Sequence, residues 1–344
     1  MSKKTSIKDI AEKVGVSTAL VSYVMNGKEK EKRVGKEMVQ EIRDVALELN
    51  YQPNQIARSL RKGSTKTIGL IVADIANPFF GTLARVIEDE ASRLGYTVIF
   101  GSSDESSVKM ASLLDILINR QVDGFIIVPA EGTELQIEVL QEKRIPLVLI
   151  DRYFRNVTTN YVVLDNFGAT YDAISHLIER GYKKIGMIAY KSKLIHMQER
   201  VRGYIEAMKA NNLGNEIRLE EVRYNHAMTD NEKAMNNLVI GTKKINALLC
   251  ATNALTISSL YCIKKLSIKI PGELGIIGFD GNEAFDFFYT PLTYIEQPIE
   301  EMGKEAVRVL TEQISGSTKI AHIKLRHTLI KRQSSYSQIS NQNA

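Results

Sequence analysis

The stretch TSIKDIAEKVGVSTALVSYVMNG, residues 5–27, decides how the N-terminal part of the chain folds. Its pattern predicts two short helices joined by a tight turn. Ser6 is placed to cap the first helix, and Asp9 favours the positive N-terminal end of that helix. Gly15 stands where a left-handed residue ends the helix, because glycine has no Cβ to oppose that conformation. Ser17 then caps the second helix.

The second helix divides into two faces at 100° per residue. One face is apolar and can pack on the first helix; it carries Leu20, Val21, Val24 and Met25. The opposite face carries small or hydrogen-bonding residues that fit a DNA major groove: Thr18, Ala19, Ser22, Tyr23 and Asn26. A third helix is predicted over 36–50. Three helices with a glycine turn between the first two predict a helix-turn-helix head.

Charge separates this head from the rest of the chain. Residues 1–62 contain 13 Lys and Arg against 8 Asp and Glu, whereas the remainder contains 32 of each. A basic head on a neutral body indicates a polyanionic partner for the head alone. The alternative is a three-helix bundle that only packs on another protein. The polar helix face, with Ser17 and Asn26 placed to reach phosphates, favours double-stranded DNA.

From residue 66 onward, short apolar runs alternate with helical periodicity, which is typical of buried parallel strands. Nine strands are predicted, over 67–74, 96–103, 123–130, 145–151, 160–166, 183–190, 220–224, 246–253 and 273–281. Two such series predict two doubly wound lobes with a cleft between them. The predicted fold class is therefore α/β, with an N-terminal three-helix helix-turn-helix head and a two-lobed doubly wound body.

Ligands of such sheets bind at the carboxyl ends of the strands. Asp151, Asn253 and Asp280 occupy those positions, and Arg200 follows the strand that ends at Tyr190. Phe79 and Phe80 follow the first strand. Carboxylate, amide and guanidinium groups beside aromatic rings suit a polyhydroxyl ligand, because they can engage its hydroxyls while a ring covers its apolar face.

The head, together with YQPNQIARSL at 51–60, resembles the LacI/GalR family of bacterial transcription regulators, and the resemblance continues to about residue 333. It implies a periplasmic-binding-protein-like body and a homodimer that reads a near-palindromic operator, with a ligand in the body altering the affinity of the head. It also implies a hinge helix that levers Leu60 into a minor-groove step. Together, the helix face and the resemblance predict these DNA-binding residues: Ser6, Ser17, Thr18, Ala19, Ser22, Tyr23, Asn26, Asn54, Ala57, Arg58 and Leu60.

The resemblance also implies effector contacts by Phe79, Phe80, Arg200, Asn253 and Asp280. With Asp151, taken from its place at a strand end, these residues form the predicted effector site. Some positions depart from the family. Ala254 stands where relatives often have aspartate, and the turn over 27–37 is longer and more charged than usual. The operator sequence therefore cannot be transferred from a relative. A sugar or sugar derivative is the first effector expectation, and a purine or nucleoside is the second.

The predicted domains are a DNA-binding head at 1–53, a hinge and linker at 54–65, and a ligand-binding and dimerisation body at 66–333. The two lobes of the body are expected to join near 160–166 and 281–298. A polar segment at 334–344 is predicted to be disordered. It carries no heptad leucines, so dimers are expected rather than tetramers.

Several other classes of protein are disfavoured. No phosphate-binding glycine motif follows the first strand, and no nucleophile–base set can be assigned, so no enzyme, catalytic residue or cofactor is expected. The histidines lack metal spacing, so no metal is expected. Without a signal peptide or a long apolar run, a cytoplasmic protein without a membrane role is expected. The alternative function is a small-molecule-binding protein of the periplasmic type without a DNA role.

Overall fold

The computed structural model describes residues 5–51, 64–242 and 244–336 of the chain. They divide between Thr65 and Lys66 into two compact units, a helical head and a larger α/β body. The predicted architecture is confirmed in both units.

Three helices form the head: α1 (Ile7–Val14), α2 (Thr18–Met25) and α3 (Lys36–Glu48). Their core contains Ile10, Val21, Val24 and Ile42, each at most 2 % exposed. The apolar face predicted for α2 is thus the one that packs inward. Helix α3 ends two residues before the predicted end.

The first lobe of the body contains a six-stranded sheet in the order β11-β5-β4-β3-β1-β2, with every pairing parallel. Its strands are β1 (Thr67–Val72), β2 (Thr97–Ser102), β3 (Gly124–Ile127), β4 (Leu147–Ile150), β5 (Asn160–Leu164) and β11 (His322–Leu325). Its helices are α4 (Pro78–Arg93), α5 (Ser107–Asn119), α6 (Glu134–Glu142) and α12 (Ile299–Ile314). The three strands at the centre of the sheet are almost wholly buried, as parallel strands covered on both faces require.

The second lobe repeats the plan in the order β12-β10-β9-β8-β6-β7, with only β12 antiparallel to its neighbour. Its strands are β6 (Ile185–Tyr190), β7 (Arg218–Val222), β8 (Ala247–Cys250), β9 (Gly275–Phe279), β10 (Thr293–Glu296) and β12 (Thr328–Ile330). Its helices are α7 (Asn166–Glu179), α8 (Ile195–Ala210), α9 (Ala227–Met235), α10 (Asn253–Lys265) and the short α11 (Glu283–Phe287).

The chain crosses between the lobes three times. It leaves the first lobe after β5, returns between β10 and α12, and leaves again between β11 and β12. The first two crossings fall within the predicted ranges. The third was not predicted, because β11 and β12 are only four and three residues long and only one of their residues is buried, so their apolar pattern is weak.

The prediction of disorder from residue 334 is wrong for its first residues. Ser334 and Ser335 are fully buried. The Ser334 Oγ donates to the Ile276 carbonyl at 2.6 Å, and the Ser335 Oγ bonds the Thr293 hydroxyl at 2.7 Å and the His176 Nε2 at 2.9 Å. The polar composition of this segment predicted exposure to solvent, but the body provides buried hydrogen-bond partners for the two serine hydroxyls. Residues 337–344 lie outside the described residues.

Candidate DNA-reading face and ligand cleft

The caps predicted for the head are present. Ser6 and Asp9 form a capping box, with the Ser6 backbone N–H donating to the Asp9 carboxylate at 2.7 Å. Gly15 is left-handed, with φ of 78°. The Ser17 Oγ accepts a hydrogen bond from the Leu20 N–H at 3.2 Å. These local bonds fix where α1 begins and ends and where α2 begins, and burial of Val21 and Val24 turns the polar face of α2 outward.

The outward face of α2 is the one predicted to read DNA. Thr18 and Ala19 are exposed, and Ser22, Tyr23 and Asn26 are partly exposed. The Asn26 amide nitrogen donates to the Ser22 carbonyl at 2.7 Å and to the Ser22 hydroxyl at 3.2 Å. A phosphate contact by that nitrogen would therefore exchange a bond that Asn26 already makes.

The long turn before α3 is a compact, hydrogen-bonded loop. The Lys28 N–H donates to the Tyr23 carbonyl. The Arg43 Nη2 donates a hydrogen bond to the Glu29 carboxylate at 2.9 Å. The Lys32 ammonium lies 5.7 Å from the centre of the Tyr23 ring. Sequence reasoning missed this neighbour of Tyr23, because it comes from an irregular loop. The predicted hinge residues Asn54, Ala57, Arg58 and Leu60 lie outside the described residues.

In the body, the first predicted effector residues stand at the start of α4. The Asn77 side chain caps this helix, and Pro78 occupies its first position. Phe79 and Phe80 follow, both buried, with their rings edge to face at 5.0 Å between centroids. The aromatic pair is thus held rigidly at the carboxyl end of β1.

Arg200 is 3 % exposed and is held from several sides. Its Nε donates to the Asn166 Oδ1 at 2.7 Å, and its Nη1 donates to the Ala251 carbonyl at 2.6 Å. Its guanidinium also lies 3.6 Å from the centre of the Phe279 ring. Burial lowers the pKa of Arg200, while the Asp280 and Asp151 carboxylates oppose that shift.

Asp280 directly follows β9, has a left-handed conformation and is 8 % exposed. Its Oδ1 accepts a hydrogen bond from the Gln297 Nε2 at 2.8 Å, and its carbonyl accepts one from the Asn253 Nδ2 at 3.3 Å. Burial raises the pKa of Asp280 to about 6, against the opposing effects of Arg200 and Gln297. Predicted site residues from three separate chain segments therefore meet at one edge of the second sheet.

Asp151 is also buried and left-handed, but its nearest charged partner is Arg152, at 3.3 Å. Arg152 makes two further bonds to the Glu105 carboxylate, at 2.8 and 2.9 Å. Burial would lower the pKa of Arg152, but the two carboxylates outweigh burial and raise it. Arg152 was not among the predicted effector residues, although its place two residues after β4 was a usable signal.

His196 is a second buried group that the sequence did not single out. It is 8 % exposed, and its Nδ1 has no hydrogen-bond partner among the described residues. Burial, together with the nearby Arg152 and Arg200 charges, holds the pKa of His196 well below its usual range. The imidazole is therefore neutral. No group of three or more potential metal ligands occurs in the described ranges.

The two lobes touch across the cleft. The Tyr224 hydroxyl donates to the Asp74 carboxylate at 3.0 Å. The Glu131 carboxylate accepts hydrogen bonds from the Ser192 hydroxyl and the Lys193 N–H, each at 3.3 Å. Each of these bonds joins the carboxyl end of a first-lobe strand to the second lobe. The cleft is closed on this side.

Comparison with known proteins agrees with these features. The model of bacterial regulatory proteins of the lacI family matches residues 6–54, and that of the periplasmic binding protein-like domain matches residues 174–335. The chain is 31 % identical over 316 residues to the HTH-type transcriptional repressor PurR of Histophilus somni, which covers 91 % of this chain and 93 % of the relative.

Solved structures are similar over most of the chain. A periplasmic binding protein/LacI transcriptional regulator from Alkaliphilus metalliredigens, complexed with D-xylulofuranose, has 27 % identity and a TM-score of 0.69. A LacI family regulator from Enterococcus faecium with bound ribose has 25 % identity and a TM-score of 0.68. Each match covers 78 % of this chain and 98 % of the other. None of the helices in the described segments is long and apolar enough to cross a membrane. The chain belongs to the lacI family of bacterial regulatory proteins and is a DNA-binding transcriptional regulator gated by a ligand in its body.

Proposed function

We propose that this regulator is a repressor that reads a near-palindromic operator as a homodimer. It has no catalytic role and works in the cytoplasm, where its DNA lies. The observation that carries the proposal is the helix-turn-helix head joined in one chain to a two-lobed binding body. Helix α2 would enter the major groove of one half-site, with Thr18, Ala19, Ser22 and Tyr23 facing the bases.

The proposed effector site is the cleft edge where Arg200, Asn253 and Asp280 meet, with Asp151 and the Phe79–Phe80 pair completing it from the first lobe. The bound sugars of the Alkaliphilus and Enterococcus relatives support a ligand of that size and polarity. Buried carboxylate and amide groups can bind several hydroxyls at once, and an aromatic ring can cover the apolar face of a sugar.

A dimer is supported by the exposed apolar surface of the body. Strand β2 is the outer strand of the first sheet, and its Phe100 and Ile99 are 59 % and 36 % exposed. An exposed strand edge with large apolar side chains is a surface that soluble proteins usually cover. We assign this edge to the partner protomer.

Gating would use the closed cleft. The bonds of Asp74 and Glu131 to the second lobe hold the lobes together, and a ligand that favours one arrangement of the lobes shifts their balance. In a dimer that shift would change how the two hinge segments pair on DNA. Coupling between sites of this kind amounts to about 1–3 kcal/mol.

The direct test of operator reading is capture of sheared host DNA by the purified protein at moderate salt, followed by sequencing. Enrichment of a short palindrome is expected. If no sequence is enriched, either with the protein alone or after addition of a small-molecule cell extract, the proposal of sequence reading is wrong.

The effector site is tested by Arg200→Met, with Arg202→Met as the matched control. Both arginines lie on α8, but Arg202 is exposed and pairs with Glu199. The Enterococcus relative was solved with bound ribose and the Alkaliphilus relative with D-xylulofuranose, so ribose and related sugars would be titrated against the protein bound to a fluorescent operator. Arg200→Met should abolish the sugar-dependent change in operator affinity, while Arg202→Met keeps it. Equal responses would remove Arg200 from the site.

The dimer is tested by Phe100→Asp, with Val108→Asp on α5 as the control, because both side chains are highly exposed. A buried carboxylate at a subunit contact is costly, so Phe100→Asp should shift the mass measured by light scattering from dimer to monomer. Val108→Asp should not. A dimer that survives Phe100→Asp would place the interface elsewhere.

A further inference from the structure

The loop between α2 and α3 contains six charged residues in a row. Residues 28–33 read KEKEKR, with four basic and two acidic side chains. The backbone of the loop is closed on itself, because the Lys32 N–H donates to the Lys28 carbonyl at 2.9 Å and the Val34 N–H donates to the Glu29 carbonyl at 2.9 Å. Its charges are therefore held close to the end of α2.

Both acidic side chains of the loop have a cationic partner within the head. The Glu29 carboxylate is paired with Arg43 on α3 at 2.9 Å, and its side chain is only 21 % exposed. The Glu31 carboxylate is paired with Lys32 at 3.1 Å. Lys32, and after it Lys28, lower the pKa of Glu31. Two of the four basic residues of the loop thus already face a carboxylate of the loop.

Lys30 and Arg33 are the other two basic residues. Both are exposed, and neither side chain forms an ion pair or a hydrogen bond with any residue that the structure describes. Arg33 also has a φ of 53°, a left-handed conformation that glycine or asparagine adopts at lower cost. Folding of the loop therefore does not explain why a guanidinium stands at this position.

The loop lies beside the face of α2 that is proposed to read DNA. The Lys28 N–H donates to the Tyr23 carbonyl, and the Lys32 ammonium lies 5.7 Å from the centre of the Tyr23 ring. An α-helix with its side chains is about 10–12 Å across, and the major groove of B-DNA is about 12 Å wide. Because such a helix fills the groove, a cation that projects beside it meets the phosphates at the edge of the groove.

We propose that Lys30 and Arg33 form a phosphate clamp, which binds the DNA backbone at the edge of the half-site and holds α2 in the groove. The inference rests on the proposed docking of α2 and adds a contact outside that helix. Phosphate contacts fix the position of a protein on DNA but do not distinguish bases. The phosphate clamp therefore raises the affinity for all DNA sequences alike.

The test compares Lys30→Gln/Arg33→Gln with the natural full-length protein by fluorescence anisotropy over a range of salt concentrations. Two labelled duplexes serve as probes, one with the palindrome enriched by capture and one of unrelated sequence. Each phosphate contact contributes about 0.9 to the slope of log affinity against log salt. The double variant should flatten this slope by about 2 on both duplexes and leave the base preference unchanged.

Lys13→Gln is the matched control for Lys30→Gln, because each removes one lysine charge from the head. Lys13 lies on α1 and is paired with Glu48 of α3. Lys30→Gln should flatten the slope by about 1, whereas Lys13→Gln should change it less, because salt screens charges that do not touch DNA. Equal changes would show general attraction alone and overturn the phosphate clamp. Lys30→Arg/Arg33→Lys keeps both charges and should keep the natural slope.

Neutral methylphosphonate linkages, placed one at a time in the palindrome, test the contact itself. The natural protein should lose affinity at phosphates on the edge of each half-site, and the double variant should lose none at one or more of those positions. Losses that are the same in both proteins at every position overturn the direct contact.

Failure of the phosphate clamp is distinct from failure of the proposed DNA reading. A steep salt dependence of the natural protein that the double variant keeps overturns the phosphate clamp alone. A flat salt dependence of the natural protein contradicts the docking of α2 and overturns the phosphate clamp with it.

Discussion

The DNA-reading face of the head and the ligand cleft of the body place their polar groups in opposite environments. Thr18 and Ala19 stand exposed on α2 and are supported from behind by a small apolar core. Arg200 and Asp280 are more than nine-tenths buried. Exposed groups need only the right helix face, whereas buried charges need partners, since an uncompensated charge away from water is costly. The head can therefore bind DNA without rearranging buried charges, whereas the cleft cannot bind its effector without rearranging them.

The largest expected difference between the two regions is in their response to salt. A head that neutralises six to ten phosphates should lose about 10³ to 10⁵ in operator affinity between about 50 and 200 mM salt. A buried cleft is screened much less, so effector affinity should change by less than about tenfold. Fluorescence anisotropy and calorimetry would measure the two. A flat operator response would contradict the phosphate-bound head.

The second prediction concerns Asp280, whose pKa is raised to about 6 from its usual 3.8. Because the folded state holds this proton more tightly than the unfolded state, Asp280 lowers the free energy of unfolding as pH rises from about 4 to about 6. The loss is about 3 kcal/mol. Asp280→Asn should remove this decline while also removing effector binding.

Urea unfolding at several pH values would measure the effect, with Asp115→Asn on the exposed side of α5 as the control. The control should keep the pH dependence of the natural protein. If Asp280→Asn keeps the same pH dependence of the free energy of unfolding, the raised pKa does not belong to the Asp280 carboxylate.

Tyr23 gives a smaller prediction on the head. Tyr23→Ala should change the base preference at one operator position and cost about 1–3 kcal/mol if the ring or hydroxyl reads a base. Selection from a randomised operator library would show the position. If the base preference is unchanged and the affinity falls equally for all operators, Tyr23 does not contact a base and instead positions Lys32.

The smallest effect compares one helix cap in each region. Ser17 caps α2, and Ser106 caps α5 with an Oγ that accepts the Lys109 N–H at 3.3 Å. Replacement of either by alanine should cost about 1 kcal/mol of stability, measured by thermal unfolding. Only Ser17→Ala should weaken operator binding. Equal operator binding by both variants would remove the Ser17 cap from the reading face.

The head could be predicted closely because its determinants are local. The Ser6 and Ser17 caps and the left-handed Gly15 act within four residues along the chain. The central strands of the body could also be predicted from sequence, since continuous apolar runs are typical of strands covered on both faces. The short edge strands β11 and β12 carry no such run.

The cleft could be predicted only in part, because its partners are far apart in sequence. Arg200 bonds Asn166 and Ala251, and Tyr224 bonds Asp74 across 150 positions. Position at the end of a strand predicted Asp151, Asn253 and Asp280, because that signal does not depend on which residue each of them bonds. It could not indicate the neutral His196 or the buried Ser335, whose environments depend on tertiary packing.

The three crossings between the lobes make each lobe a patchwork of separate chain segments. The first lobe combines β1 to β5 with α12 and β11, and the second lobe closes with β12 after that return. Neither lobe can be cut out, duplicated or exchanged as one contiguous stretch of coding sequence, whereas the head is one uninterrupted stretch before residue 66. Recombination can therefore exchange the head, or the body as a whole, in a single step, but it cannot exchange one lobe of the body in a single step.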